Sequence, residues 1–395
     1  MSLVELWTKS KEEFSTKTVQ QMIVLAGDGN LKDGSITSNE FRAFLSDIPT
    51  DFIETYAEQC LQESFSGSGF ALQDIVNQIG QRLGFKVKYG RYRGVSGQIG
   101  YDGIWELPTG HSIIIEVKTT DAYRIDLDKL AKYRKELIKQ GAISEDKSSV
   151  LIIAGRTDTG DLEAQIRGSR HAWDMRMISV DALLRLMDLK QQVEDPATIH
   201  KISDILVPRE FTKLDEIVEI VFFTAEDIKE EEPTEEDEEN DEIGDIDKTK
   251  EPKFKPVAFH QKCVDRIEQY LNRTLVKQTR NQYLSSDGSL AIICVVSKEY
   301  TKGVRRGYWF GFHPYHKEFL QSAKESYLSL GCGSAELILL IPSQDFIEWL
   351  EGFNITQKVD NFFWHIHIEA ENEKLILTRK TGYNSIDVTK YTLSK

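Results

Sequence analysis

The sequence predicts an α/β protein with two folded halves separated by an acidic linker, and three observations carry that reading. Between Ile99 and Thr120, two strand-length apolar runs flank Leu107-Pro108-Thr109-Gly110-His111, whose Pro and Gly are turn residues. From Phe70 to about residue 190, stretches of helical periodicity alternate with short buried-strand runs. From Glu226 to Asp247 the chain carries fourteen acids and one Lys, and apolar periodicity resumes near Val257. With 395 residues the chain is long enough for two or three domains. It divides into a helical N-terminal segment (1–65), a mixed-sheet domain flanked by helices (66–223), a linker (224–256) and a second α/β or α+β domain (257–395).

The acidic run explains most of the net charge of −15, so the folded parts are close to neutral and nucleic acid is not excluded as a partner. Low hydrophobicity with charge of one sign predicts disorder for the linker. The four cysteines, Cys60, Cys263, Cys294 and Cys332, form no CxxC, which argues against a zinc ribbon or a disulfide framework. No run of about 18 apolar residues occurs, so no membrane-spanning helix is expected. Charges scattered through the first residues point away from a secretory leader, and a cytoplasmic setting is expected.

Along the first segment, Leu3 to Leu25 has an irregular amphipathic pattern, and Thr37-x-x-Glu40 reads as a capping box opening a helix with Phe41, Phe44 and Leu45. The loop Gly27–Ile36 is rich in Asp and Gly. With Glu40 at the twelfth position, however, Gly29 and Leu31 occupy places that need oxygen ligands, so a polar turn is expected rather than a calcium loop. Leu72, Ile75, Val76, Ile79 and Leu83 mark the next helix, stopped by Gly84. Arg82, Lys86, Lys88, Arg91 and Arg93 then follow with no acid among them and with Tyr89 and Tyr92 interleaved. Such a stretch either holds a phosphate backbone or is an edge strand guarded by its lysines.

The hairpin comes next. Along Ser112–Lys118 the side chains of Ile113, Ile115 and Val117 point one way, while Glu116 and Lys118 share the other face. A turn centred on Thr109 sets Asp102 opposite Glu116, so two carboxylates and an ammonium converge. That set suits a hard divalent cation beside a reacting phosphate. A helix over Leu127–Lys139, a buried strand at Ser149–Ala154, a short helix at Asp161–Gly168, a strand at Arg176–Val180 and a helix at Asp181–Leu189 complete the domain. Gln165, Arg167 and Arg170 follow the fourth strand, within reach of a substrate or simply on a helix surface.

The order of elements and the Asp102…Glu116-Val117-Lys118 spacing resemble the PD-(D/E)XK nuclease superfamily over residues 66–190, about a third of the chain. The acid-x-Lys pattern recurs at Glu145/Lys147, Asp188/Lys190, Asp227/Lys229 and Glu251/Lys253; only the Glu116 copy ends an apolar strand behind an Asp-bearing hairpin. The resemblance implies a restriction-endonuclease-like fold and Mg²⁺, with Mn²⁺ as a substitute, held by Asp102, Glu116 and the Val117 carbonyl. It also implies that Lys118 activates the nucleophile. Family members often add an acid from the preceding helix; here Gln73 takes that place with Asp74 beside it, and an exposed polar position fits equally well. A DNA endonuclease of the restriction or phage-defence kind follows, with a homodimer expected where both strands are cut.

The last domain carries no catalytic signature. A helix through Val264, Ile267, Leu271 and Leu275 leads to a strand at Leu290–Val296, then a helix runs to Leu330 and strands recur at Glu336–Ile341, Phe362–Ile368 and Lys374–Arg379. Arg305, Arg306, Tyr308 and Trp309 form either a base-stacking platform or a core strand, and Tyr308, Trp309 and His313 would equally line a pocket for an activating ligand. His365 and His367 share a strand face and lack a third metal ligand in sequence. Two readings stay open beside the nuclease: an inactive nuclease-fold module that docks on DNA or serves as a scaffold, and a nuclease switched on by a ligand or partner protein of the last domain.

Overall fold

Small hydroxyl side chains start most of the N-terminal helices. The computed structural model describes residues 2–14, 16–63, 65–93, 99–119, 124–155, 160–208, 256–302, 305–357, 362–371 and 374–393. All but the last residue of the expected linker lies outside them. Helices α1 (Leu3–Lys9) and α3 (Val19–Leu25) open with capping boxes, Ser2 with Glu5 and Thr18 with Gln21, and α2 (Lys11–Phe14) lies between. Helix α4 (Ile36–Asp47) is capped by Ser35, whose hydroxyl accepts the Ser38 N–H at 3.2 Å, and not by Thr37. Thr37 is buried and donates to Asp28 at 2.8 Å, while Glu40 accepts the Leu3 N–H at 2.8 Å. The expected capping box is therefore two tertiary contacts, because side chains from elsewhere in the chain compete for both groups. The Asp28–Thr37 bond also ties the loop before α4 into a polar turn.

Helix α5 (Thr50–Gln62) leads to α6 (Ser68–Arg82), which is buried almost all round. Its polar residues Gln73, Asp74, Asn77, Gln78 and Arg82 are as enclosed as Leu72, Ile75 and Ile79. Arg82 thus leaves the expected basic face: its guanidinium donates to the Leu45 and Ile48 carbonyls at 3.1 and 2.5 Å, closing the C-terminus of α4. Burial of that cation lowers its pKa to about 10.

A five-stranded sheet follows in the order β1 (Lys86–Tyr89), β2 (Gly103–Glu106), β3 (Ser112–Lys118), β4 (Ser148–Ala154), β5 (Met175–Ser179). The first three strands are antiparallel and the last three parallel, so the sheet is mixed. Connections between the parallel strands are α7 (Leu127–Lys139) and α8 (Gly160–Arg167); α9 (Val180–Gln192) and α10 (Pro196–Asp204) follow β5. Alternation divides the sheet. Trp105, Ile113, Ile115, Leu151 and Ile153 face a core built with α6, α9 and the N-terminal helices. Ile104, Ile114, Val150 and Ile152 face Leu127, Leu130 and Leu137 of α7 and Leu162 of α8. With both faces covered, every residue of β4 is buried, as its unbroken apolar run requires. All of this belongs to one compact unit, Met1–Ile228.

The second unit, Lys229–Lys395, is built around two sheets. Helix α11 (Pro256–Leu271) ends before Leu275, where Asn272 takes a left-handed φ of 51°. One sheet runs β12 (Ile338–Pro342), β11 (Glu325–Cys332), β8 (Leu290–Ser297), β7 (Gln282–Leu284), β6 (Val276–Lys277). The other runs β16 (Ile386–Asp387), β15 (Lys374–Thr378), β14 (Phe362–Glu371), β10 (Arg305–Phe312), β9 (Tyr300–Lys302), with β13 (Ile355–Gln357) also on β14. The helix expected to reach Leu330 stops early: α12 covers Pro314–Gln321, and Glu325–Cys332 is a strand parallel to β8. The run Tyr-Leu-Ser-Leu-Gly-Cys gains more from a central sheet position than from continuing a helix. Helix α13 (Ser343–Trp349) follows β12. No helix among the described residues is long and apolar enough to cross a membrane.

Candidate active site

The β2–β3 register brings the charged residues together. Gly103 pairs with Ile115 and Glu106 with Ser112, so Asp102, the residue before β2, lies beside the end of β3. The Asp102 N–H donates to the Ile115 carbonyl at 3.0 Å. Asp102 Oδ2 then accepts the Val117 N–H at 2.7 Å, so the side chain takes over the ladder where the strand ends. Lys118 Nζ reaches Glu116 Oε1 at 2.5 Å, with Glu116 13 % and Lys118 33 % exposed. Parity sets these groups on the α7 side of the sheet, with Ile104 and Ile114.

Electrostatics at this patch are unbalanced. Burial first, and the Glu116 carboxylate second, push Asp102 up to about 7, against the Val117 N–H and the Lys118 and Lys129 ammonium groups. Lys129, on the first turn of α7, also feels Glu116. Its ammonium is exposed and lies over the Tyr133 ring at 5.5 Å. Two neighbouring carboxyl groups, with Asp102 the perturbed one, fit an oxygen-ligated divalent cation, which needs one or two carboxylates and takes its other ligands from water or phosphate. Among the described residues no group of three or more His, Cys, Asp and Glu side chains is placed to hold a metal ion.

The helix before the hairpin supplies carboxamides. Gln73 is buried, not exposed, and its Nε2 donates to the Asp102 carbonyl at 3.1 Å and the Arg91 carbonyl at 3.4 Å. Asn77, one turn on, donates to the same Asp102 oxygen at 2.9 Å and accepts from the Trp105 indole N–H at 3.0 Å. Asn77 escaped the sequence reading; its spacing of four from Gln73 was the available signal. Asp74 turns away from Asp102 and Glu116. Its carboxylate pairs with Arg42 of α4 at 2.9 Å and accepts the Tyr92 hydroxyl proton. Burial raises Asp74 to about 7, which Arg42 counters. Gln165 is likewise engaged, its amide bonded both ways to the backbone of Ile125 ahead of α7.

The basic segment splits by direction. Lys86 and Lys88 lie exposed on β1, the sheet edge, and Lys86 approaches Glu106 at 3.7 Å; Arg91 and Arg93 are exposed beyond it. The interleaved tyrosines face inward, with the Arg42 guanidinium over the rings of Tyr89 and Tyr92 at 4.3 and 5.0 Å. In the second unit, Tyr308 is core, its hydroxyl donating to Glu299 at 2.9 Å, so its ring is withdrawn from any stacking surface. Arg306 is exposed beside the same Glu299 at 3.7 Å; the side chain of Arg305 lies outside the described residues. Trp309 faces the opposite side, donating to His365 Nδ1 at 3.0 Å, with Phe363 at 6.2 Å between ring centroids. His365 and His367 stack at 6.1 Å, and His365 Nε2 meets Thr356 at 2.6 Å.

No family model matches the chain, and no curated protein matches it. Among solved structures, one similar chain is described as a complex of restriction endonuclease PspGI with substrate DNA. It is 14 % identical, the superposition covers 57 % of this chain and 94 % of that one, and the TM-score is 0.23.

Proposed function

We propose that the first unit is a PD-(D/E)XK-type nuclease that hydrolyses phosphodiester bonds in DNA, and that the second unit recognises the target or the trigger. The single observation that supports this is the crowding at the end of β3, where the Asp102 carboxylate accepts the Val117 N–H and feels Glu116, to which Lys118 is bonded. Asp102 and Glu116 are the residues that would hold Mg²⁺ or Mn²⁺, with the Val117 carbonyl as a further oxygen. When bound, the cation lowers the pKa of a coordinated water and neutralises phosphoryl oxygens.

The chain's own groups do the rest. Lys118 has three N–H donors and uses one on Glu116, so it can also donate to a phosphoryl oxygen or orient the attacking water. Its charge opposes the negative charge that builds in the transition state. Lys129 adds a second positive charge on the same side. Lys86, Lys88, Arg91 and Arg93 are the candidates for backbone phosphates along the sheet edge. Arg305, Arg306 and Trp309 are the candidates for nucleic-acid contact in the second unit.

The test is cleavage of plasmid and linear DNA in Mg²⁺ or Mn²⁺ by the wild type, Asp102→Ala and Lys118→Ala. Cleavage lost in both variants and in EDTA is expected, with Lys118→Ala at least ~100-fold slower. DNA binding without cleavage in all three proteins would favour a docking module. Cleavage that appears only with an added ligand or partner would favour a switched nuclease.

A further inference from the structure

We infer that Gln73 and Asn77 form a main-chain clamp that positions Asp102 for cation binding, in place of a third acidic ligand. The inference rests on the nuclease reading above. One carbonyl oxygen, that of Asp102, accepts three donors: Gln73 Nε2 at 3.1 Å, Asn77 Nδ2 at 2.9 Å and the Gly90 N–H at 3.0 Å. That oxygen belongs to the residue whose carboxylate must be aimed. The clamp is itself held. Asn77 Nδ2 also donates to the Gln73 carbonyl at 3.0 Å, and the Trp105 indole fixes its oxygen.

Topology decides between clamp and ligand. Helix α6 packs under the face of the sheet that carries Trp105, Ile113 and Ile115, whereas Glu116 and Lys118 share the face of Ile114. From below, the carboxamides meet the peptide of Asp102. The space there is full: a Cβ on Gly103 would stand 2.1 Å from Asn77 Oδ1, and one on Gly90 would stand 2.0 Å from the Tyr101 carbonyl. With the peptide fixed from one side and Oδ2 fixed by Val117 from the other, the Asp102 carboxylate has little freedom left. A glutamate at position 73 would lose the donor and set a negative charge against the Asp102 carbonyl.

The experiment is Mn²⁺ binding to the full chain, read by the electron paramagnetic resonance signal of free Mn²⁺, with melting of each variant as control. Asp102→Asn is expected to abolish binding, and Gln73→Met to weaken it about 10–100-fold. Gln73→Glu is expected to weaken binding too, and Gln73→His, which keeps an N–H donor, to recover part of it. Wild-type affinity in Gln73→Met, or tighter binding in Gln73→Glu, would overturn the clamp while leaving the metal site standing. If Gln73→Met melts early, Gln73→His decides: near wild-type binding supports the clamp, and loss equal to that of Asp102→Asn overturns it. Wild type that binds no Mn²⁺, or Asp102→Asn that binds normally, overturns the metal reading and the clamp with it.

Discussion

Replacing Asp102 by Asn should make the metal-free first unit more stable at high pH while removing cation binding. The carboxyl is raised from 3.8 to about 7, by burial first and Glu116 second. Between those values the folded state keeps a proton that the unfolded chain has released, so stability falls as pH rises through the window. Above it the full cost is present, at most ~4 kcal/mol at 1.36 kcal/mol per pH unit. Side-chain relaxation and water entry would reduce this to on the order of 2 kcal/mol. Asparagine carries no charge, and its Oδ1 can still accept the Val117 N–H. The measurement is hydrogen exchange of the 112–118 amides in EDTA, variant against wild type, at pH 4.5 and 8. The variant should gain protection that is small at pH 4.5 and larger at pH 8. A variant less protected at both, or a gain independent of pH, would refute the account of strain at this carboxylate.

Cation affinity should follow the same group with opposite sense. Below about 7 a proton competes for Asp102, so Mn²⁺ binding should weaken by up to ~10-fold between pH 7 and 6, measurable by calorimetry. Arg42→Ala strands the fully buried Asp74 and should cost about 3–5 kcal/mol in urea unfolding, whereas Asp74→Asn should cost less. Gly90→Ala forces backbone apart at the Asp102 carbonyl and should reduce cleavage more than it lowers the melting temperature.

What was legible in the sequence was whatever local pattern decides. Helix α7 begins and ends at Leu127 and Lys139 as its periodicity indicated, and the Pro-Thr-Gly turn set a hairpin register that needs no distant partner. What was not legible depended on competition from elsewhere. Thr37 and Glu40 had capping geometry in sequence and were drawn to Asp28 and Leu3. Arg82 read as part of a basic surface because nothing local announces the helix end it closes. An exposed position fitted Gln73 as well as a site role because polar residues are mostly exposed; only a second layer over α6 buries it. Tyr308 and Trp309 are adjacent and equally aromatic, and strand alternation sends one to the core and leaves the other beside His365.

The enclosure of α6 bears on where this protein can be cut. Its one side meets the sheet through Trp105, and its other meets α4 through the Arg42–Asp74 pair, within a single apolar core that runs from Leu3 to Leu206. A chain started at residue 66 would keep every proposed catalytic group. It would also bare Asp74 and Arg82, strip the far wall from Ile75 and Ile79, and leave Tyr89 and Tyr92 without their cation. The first sixty-five residues are thus a foundation for the hairpin rather than a preface to it, and trimming toward a minimal nuclease should stop short of them.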